Sequence, residues 1–223
     1  MSESASEVVL FDLDGTLIDS IELIERSYRH TLATHTSRIY DRDEWLAGLG
    51  RPLKWQFEQW TSDPEEVQRM IATYRAHNNV HHDAMVKPYA GAIEAVKELR
   101  QRGVRLGVVT SKLHAGALRG ISRGGFDGLF DVVIGADDVR EPKPAAEPAL
   151  LALSRLGASA LSAFMVGDSP HDIRCGQLAG TRTAAVMWGP FPRKFFVDDE
   201  PDVWLEHPRE LASLGTRRGQ QRG

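Results

Sequence analysis

VVLFDLDGT, from Val8 to Thr16, is the stretch on which the rest of the chain hangs. Four apolar residues, Val8 to Phe11, run without a break into Asp12, Leu13, Asp14, Gly15 and Thr16. A short unbroken apolar run reads as a strand buried on both faces, as in a parallel sheet. Carboxylates just past the end of such a strand lie where open α/β sheets take their ligands. Asp12 and Asp14 repel each other unless a cation stands between them, and a hard, oxygen-liganded ion such as Mg2+ is the first expectation. Ordinary explanations compete. Asp14-Gly15 between apolar residues is also a hairpin signal. An EF-hand loop needs glycine sixth and an acid twelfth; counted from Asp12, Gly15 is fourth and Leu23 twelfth, so that reading fails. An accidental acidic turn stays open on this segment alone.

The whole chain narrows the choice. Its 223 residues, 42% of them hydrophobic, are enough for one sizeable α/β domain or a domain carrying a smaller insertion. A net charge of -4 argues against a general nucleic-acid binder. The basic ending TRRGQQRG reads as a frayed, solvated tail rather than a binding arm. One cysteine, Cys175, excludes an internal disulfide and fits a reducing cytoplasm. No apolar run approaches membrane-spanning length, and the opening MSESASE has no secretory-signal character.

After Thr16, apolar residues at Leu17, Ile21, Ile24, Tyr28 and Leu32 form one helical stripe. Helix-like stretches follow at Asp43 to Trp60 and Asp63 to His82, the second opening on Asp63-Pro64 as cap and first turn. Residues 18–85 thus read as all-helical and strand-free. From Tyr89 the rhythm changes. Helices are predicted at Tyr89 to Arg102, from Ser111 to about Arg123, at Pro144 to Leu156 and at Pro170 to Ala179, several stopped by glycine. Between them lie apolar strands at Val104 to Thr110, Asp131 to Ile134, Ala163 to Gly167 and Thr181 to Trp188. A short last strand and a helix from Pro208 close the chain. Alternating strands and helices imply βαβ units and a parallel sheet.

Three of these strands end at Asp12, at Thr110-Ser111 and at Asp168. Parallel strands present their carboxyl ends along one edge, so these distant residues converge in one crevice. That weakens the accidental-turn reading of Asp12. Asp168 opens GDSPHD, in which Asp172 is either a metal-site acid or the last member of a Ser169-x-x-Asp172 capping box with Pro170 at the first helical position. Thr110 and Ser111 suit a phosphate oxygen, or simply cap a helix. Lys143, between prolines in EPKPAAEP, either points into the crevice to neutralise anionic charge or is a solvated surface lysine. His77 and His81 stand four apart, but the glutamate of H-E-x-x-H is missing, so the His77–His82 cluster reads as a polar helix end. Arg51, Lys54 and Arg75 are surface charges or contacts to a negative substrate. Cys175 has no base beside it and packs in its helix.

Taken together, DLDGT at Asp12–Thr16, the pair Thr110-Ser111, Lys143 and GDSPHD at Asp168–Asp172 resemble, in order, the four motifs of the haloacid dehalogenase-like hydrolases. ELIERSYRHTL, YRAHNNVHHDAMV and GDSPHDI look like the bacterial pyrophosphatase and phosphoglycolate-phosphatase branch. One departure is Ala146, where such relatives carry a second proline after the lysine. The resemblance implies a Rossmann-like core of residues 1–17 and 86–223 and an inserted helical cap domain of residues 18–85. It implies Asp12 as nucleophile, Asp14 as general acid and base on a backbone set by Gly15, and Mg2+ held by Asp12, the Asp14 carbonyl and Asp168, with Asp172 in support. Thr110, Ser111 and Lys143 would hold the phosphoryl oxygens, with Arg51 as a further substrate contact. The expected activity is phosphohydrolysis through an aspartyl-phosphate, with pyrophosphate the favoured substrate and phosphoglycolate or another small phosphomonoester the alternative. A phosphosugar mutase and a catalytically silent phosphate binder fit less well, the latter because Asp12, Asp14, Lys143 and Asp168 are all in place. A dehalogenase would need neither Mg2+ nor Asp14. Oligomeric state cannot be read.

Overall fold

The chain begins with β1 (Val8–Phe11) and β2 (Ile18–Asp19), followed by α1 (Ile21–His35), α2 (Arg42–Gly48), α3 (Leu53–Glu58) and α4 (Pro64–Met85). A second short strand, β3 (Lys87–Pro88), leads into α5 (Ala92–Gln101), β4 (Arg105–Val109), α6 (His114–Arg123), β5 (Val132–Ile134) and α7 (Glu147–Leu156). Then come β6 (Ala163–Gly167), α8 (Pro170–Ala179), β7 (Arg182–Val186), β8 (Val203–Leu205) and a 3-10 run at Pro208–Gly215. This is a computed structural model, and it describes residues 8–215. The opening MSESASE and the basic tail TRRGQQRG lie outside the described residues.

Six strands form one parallel sheet in the order β5-β4-β1-β6-β7-β8. The side-chain period of two explains why β1 is apolar throughout. Val9 and Phe11 face the layer of α5, α6 and the 3-10 run, while Val8 and Leu10 face α7 and α8. All four are wholly buried, each worth roughly 1.5–3 kcal/mol of burial. This is a doubly wound, Rossmann-like α/β fold.

Between β2 and β3, helices α1 to α4 build their own apolar cluster around Tyr28, Trp45, Phe57, Met70 and Tyr74. It continues onto Ile173 of α8 and onto Phe191 and Phe196 beyond β7. The expected strand-free insertion needs correcting at its edge. Ile18 and Asp19 pair antiparallel with Pro88 and Lys87, so the outgoing and returning connectors run side by side. Leu17, counted on the helical stripe, is buried with Ile18 in these connectors, and α1 starts only at Ile21. The stretch from Asp43 to Trp60 is two helices, interrupted by Gly50 at φ +89° and by Pro52. Helix α7 begins at Glu147 rather than Pro144, leaving Lys143 in an irregular loop. The segment from Pro208 is 3-10, not α. There Leu211 and Leu214, three apart, eclipse and are both buried against the sheet layer.

Candidate active site

The ladder carries the catalytic candidates to their places. Asp12 N–H donates to the Val166 carbonyl at 2.8 Å and Thr110 N–H to the Ile134 carbonyl at 3.0 Å, each one residue past its strand. Adjacent strands β4, β1 and β6 thus deliver Thr110, Asp12 and Asp168 to one edge of the sheet. The DLDGT turn is closed by Gly15 N–H to the Ile18 carbonyl at 2.9 Å and clamped by Trp188 Nε1 to the Thr16 carbonyl at 3.0 Å. Gly15 has φ +84°, and a Cβ there would stand 2.5 Å from Asp168 Oδ2. Both the backbone and the carboxylate therefore require glycine.

Asp12, Asp168 and Asp172 are buried and offer carboxylate oxygens within 4.8 Å of one another. Lys143, 3% exposed, is the one cation among them, with Nζ 2.7 Å from Asp12 Oδ1 and 2.5 Å from Asp172 Oδ1. Three carboxylates against one ammonium leave the cluster short of positive charge. Burial, with the Asp172 and Asp14 charges, pushes the Asp12 carboxyl up to about 7 against the pull of Lys143. Burial and the neighbouring Asp172 and Asp12 raise Asp168 well above the usual carboxylate range. Lys143 is itself raised, because the two aspartates outweigh its burial. An all-oxygen, anionic, buried donor set of this kind fits a divalent metal ion.

The two readings of Asp172 coexist. Its Oδ2 accepts from Ser169 N–H at 3.1 Å and Ser169 Oγ at 2.6 Å, while Oδ1 takes Lys143. Both oxygens are therefore already engaged.

Asp14 occupies a different environment. Lys112 Nζ donates to its oxygens at 2.8 and 3.0 Å and the Ser20 hydroxyl to Oδ1 at 2.6 Å. Burial would raise its pKa, but Lys112 and Ser20 reverse this and hold it below the usual value. The sequence reading did not assign a role to Lys112 or Ser20. Lys112 sits directly after the hydroxyl pair, which is the one signal that pointed to it.

Above this edge opens a cavity of about 620 Å3 between the sheet and the inserted helices. Asp12, Asp14, Thr110, Ser111, Lys143 and Asp168 line it from the sheet. Arg51, Lys54 and Arg75 line it from the helices, so all three lie where an anionic ligand would enter, Lys54 and Arg75 also being exposed. The Arg51 guanidinium lies 4.8 Å from the Trp55 ring centre, and its buried Nε has no partner. Ser111 does not stand free: its hydroxyl donates to the Gly50 carbonyl at 2.6 Å, tying the sheet edge to the loop before α3. Cys175 is buried and unpaired. His77, His81 and His82 are not part of the cavity wall; His82 is buried and meets Asp83 at 2.8 Å.

A doubly wound sheet whose middle strand ends in this acid cluster, with a helical insertion facing it, defines a class, and the sequence agrees. The chain belongs to the haloacid dehalogenase-like hydrolases: the family profile matches residues 9–186. It is 41% identical over 206 residues to a pyrophosphatase PpaX of Halalkalibacterium halodurans, covering 92% of this chain and 95% of the relative. A pyrophosphatase PpaX of Anoxybacillus flavithermus is 43% identical over the same share of both chains. Among solved structures, a haloacid dehalogenase-like hydrolase from Bacteroides fragilis superposes with a TM-score of 0.86 at 25% identity, covering 92% of this chain and 99% of that one. The protein is thus a hydrolase of phosphate esters or phosphoanhydrides. No helix among the described residues is long and apolar enough to cross a membrane.

Proposed function

We propose that this chain is a Mg2+-dependent phosphohydrolase that works through an aspartyl-phosphate on Asp12, with inorganic pyrophosphate its favoured substrate. The observation that carries the reading is Asp12 itself. It is a buried carboxylate at a strand tip, held by Lys143 at 2.7 Å and open to a cavity shared with a second acid, Asp14. The choice of pyrophosphate rests on the two relatives at 41% and 43% identity that bear that activity in their names.

An Asp12 oxygen attacks phosphorus, forming an acyl-phosphate bond while the bond to the leaving oxygen breaks. Asp14, which takes up a proton once substrate binding draws Lys112 away from it, gives that proton to the leaving oxygen and then takes one from the water that attacks the acyl-phosphate. Lys112 and Ser20 orient Asp14 for both steps, and substrate binding loosens Lys112 from it. Lys143 holds Asp12 in its attacking rotamer and, with the Thr110 hydroxyl and Ser111 N–H, fixes the transferring phosphoryl oxygens. Asp12, the Asp14 carbonyl and Asp168 would hold Mg2+, with Asp172 keeping Lys143 in place; the ion supplies charge neutralisation for the phosphoryl group. Residues 18–85 act as a cap on a core of residues 1–17 and 86–223, hinged at β2 and β3. Closure over the cavity excludes bulk water during transfer.

A second reading has its own support. A cavity of about 620 Å3 with Ile24, Leu49, Ile71 and Phe191 in its wall has room and apolar surface beyond what pyrophosphate uses. That favours phosphoglycolate or another small phosphomonoester. Comparing kcat/KM for pyrophosphate, phosphoglycolate and an aryl phosphate with Mg2+ separates the two. Pyrophosphate should lead, a lead by an ester establishes the second reading, and no phosphate release from any of them contradicts both.

A further inference from the structure

Outside the cavity, the junction of α1 and α4 carries a cluster of three stacked or tilted histidines that the proposed reaction does not use, separate from His35, which is engaged by Glu66 and Thr73. His77 of α4 lies between His30 of α1 and His81, one turn further along α4, with ring centres 4.6 and 4.5 Å away. His30 and His81 are exposed and His77 is half-buried. The sequence shows only the His77/His81 spacing, which alone reads as a polar helix end; His30 comes from another helix.

The tautomer of His77 is set from behind. Ser27 Oγ donates its single proton to the Leu23 carbonyl at 2.8 Å. Towards His77 Nδ1, 3.0 Å away, that oxygen is left only to accept. Asn78 Nδ2 donates to the same oxygen at 3.4 Å, completing its partners. His77 therefore carries its proton on Nδ1 and keeps a lone pair on Nε2. An imidazole held through one nitrogen, with the other free, is the form in which histidine ligates metals.

We propose that His30, His77 and His81 form a surface site for a divalent transition-metal ion of the Zn2+, Ni2+ or Cu2+ type, separate from the carboxylate cluster. Imidazole donors suit these ions, whereas Mg2+ prefers oxygen. In this structure His30 and His77 are stacked rather than convergent, at an interplanar angle of 25°. His77 is the fixed ligand; the exposed His30 and His81 rings turn about their side-chain bonds to meet the ion. Bound there, the ion ties α1 to α4, whose Ile24 and Tyr74 line the cavity, and stiffens that wall.

The test is calorimetric titration of the untagged full chain with Ni2+ in a large excess of Mg2+, which keeps the carboxylate cluster occupied. The expected result is saturable binding of one Ni2+ per chain. His30→Gln and His81→Gln, both at exposed positions, should each weaken binding at least about tenfold, and Ser27→Ala by a similar factor through loss of the fixed tautomer. His114→Gln, on α6, should leave it unchanged. Phosphate release with Mg2+ should be unaffected in His30→Gln, so the site stands or falls independently of the catalytic reading. Saturable binding that survives in the His30→Gln/His81→Gln double variant, or no saturable binding by the parent chain, overturns the proposal.

Discussion

The sheet edge and the inserted helices face one another across a single cavity and are built on opposite rules. At the sheet edge the polar groups are sunk and fastened. Asp12, Lys143, Asp168 and Asp172 are all buried, and Lys143 bridges two of the acids. On the helical side Lys54 and Arg75 are exposed, and Arg51 rests on Trp55 with a buried nitrogen unpartnered. The difference teaches where each demand of the reaction is met. On the proposed reading, the group that attacks along a fixed line is locked by charge and packing, while the groups that would meet the substrate lie on a more exposed wall.

The comparison breaks most visibly at Asp12. Asp12→Asn should lower kcat/KM by at least ~10,000-fold, about 5 kcal/mol of transition-state stabilisation, because an amide is no nucleophile here. Its circular dichroism and cooperative melting should stay those of the parent; residual turnover near the parent rate would move the chemistry elsewhere. Next is Lys143→Met, which leaves two buried carboxylates without their ammonium. Metal-free protein should lose roughly 3–5 kcal/mol of unfolding free energy by denaturant titration. A loss below about 1 kcal/mol would mean that the lysine does not hold the cluster together.

Metal and pH sharpen the contrast further. The raised carboxyls of Asp12, at about 7, and Asp168 favour the protonated fold. That stabilisation is complete below the unfolded pKa near 3.9 and is lost as pH rises through the folded values. A divalent ion competes with those protons. The unfolding free energy gained by adding Mg2+ to metal-free protein, read from the rise in Tm, should therefore grow from pH 5 to pH 8, towards roughly 3 kcal/mol at a hundredfold excess over Kd. A gain independent of pH would place the ion away from these acids. The smallest effect belongs to the helical side. Arg51→Ala should raise KM for pyrophosphate about tenfold, roughly 1.4 kcal/mol, with kcat and stability little changed. A collapse of kcat instead would make Arg51 part of the locked machinery.

Much of the sheet side was legible from residues alone, because burial on two faces forces continuous apolar runs and parallel strands share one edge. Val8–Phe11, Ala163–Gly167 and Pro170–Ala179 emerge with the boundaries read from sequence. The helical side was less legible, because its features depend on partners distant in the chain. Ile18 pairs with Pro88, which no helical stripe reveals. On the sheet side the same limit applies: Lys112, just past β4, reaches Asp14, just past β1, and Ser111 is tied to Gly50 across the cavity. Asp172 was posed as cap or site residue, although its two oxygens serve both roles at once. The Pro208 segment failed for a local reason: a spacing of three between Leu211 and Leu214 suits 3-10 as well as α geometry.

The most direct test of the account asks where the phosphoryl group goes. Enzyme mixed briefly with pyrophosphate and Mg2+, quenched in acid and mapped by peptide mass, should carry one phosphate on Asp12, and Asp12→Asn should carry none. Phosphate release without any covalent adduct in the parent, or an adduct on another residue, would contradict the central claim that Asp12 is the nucleophile.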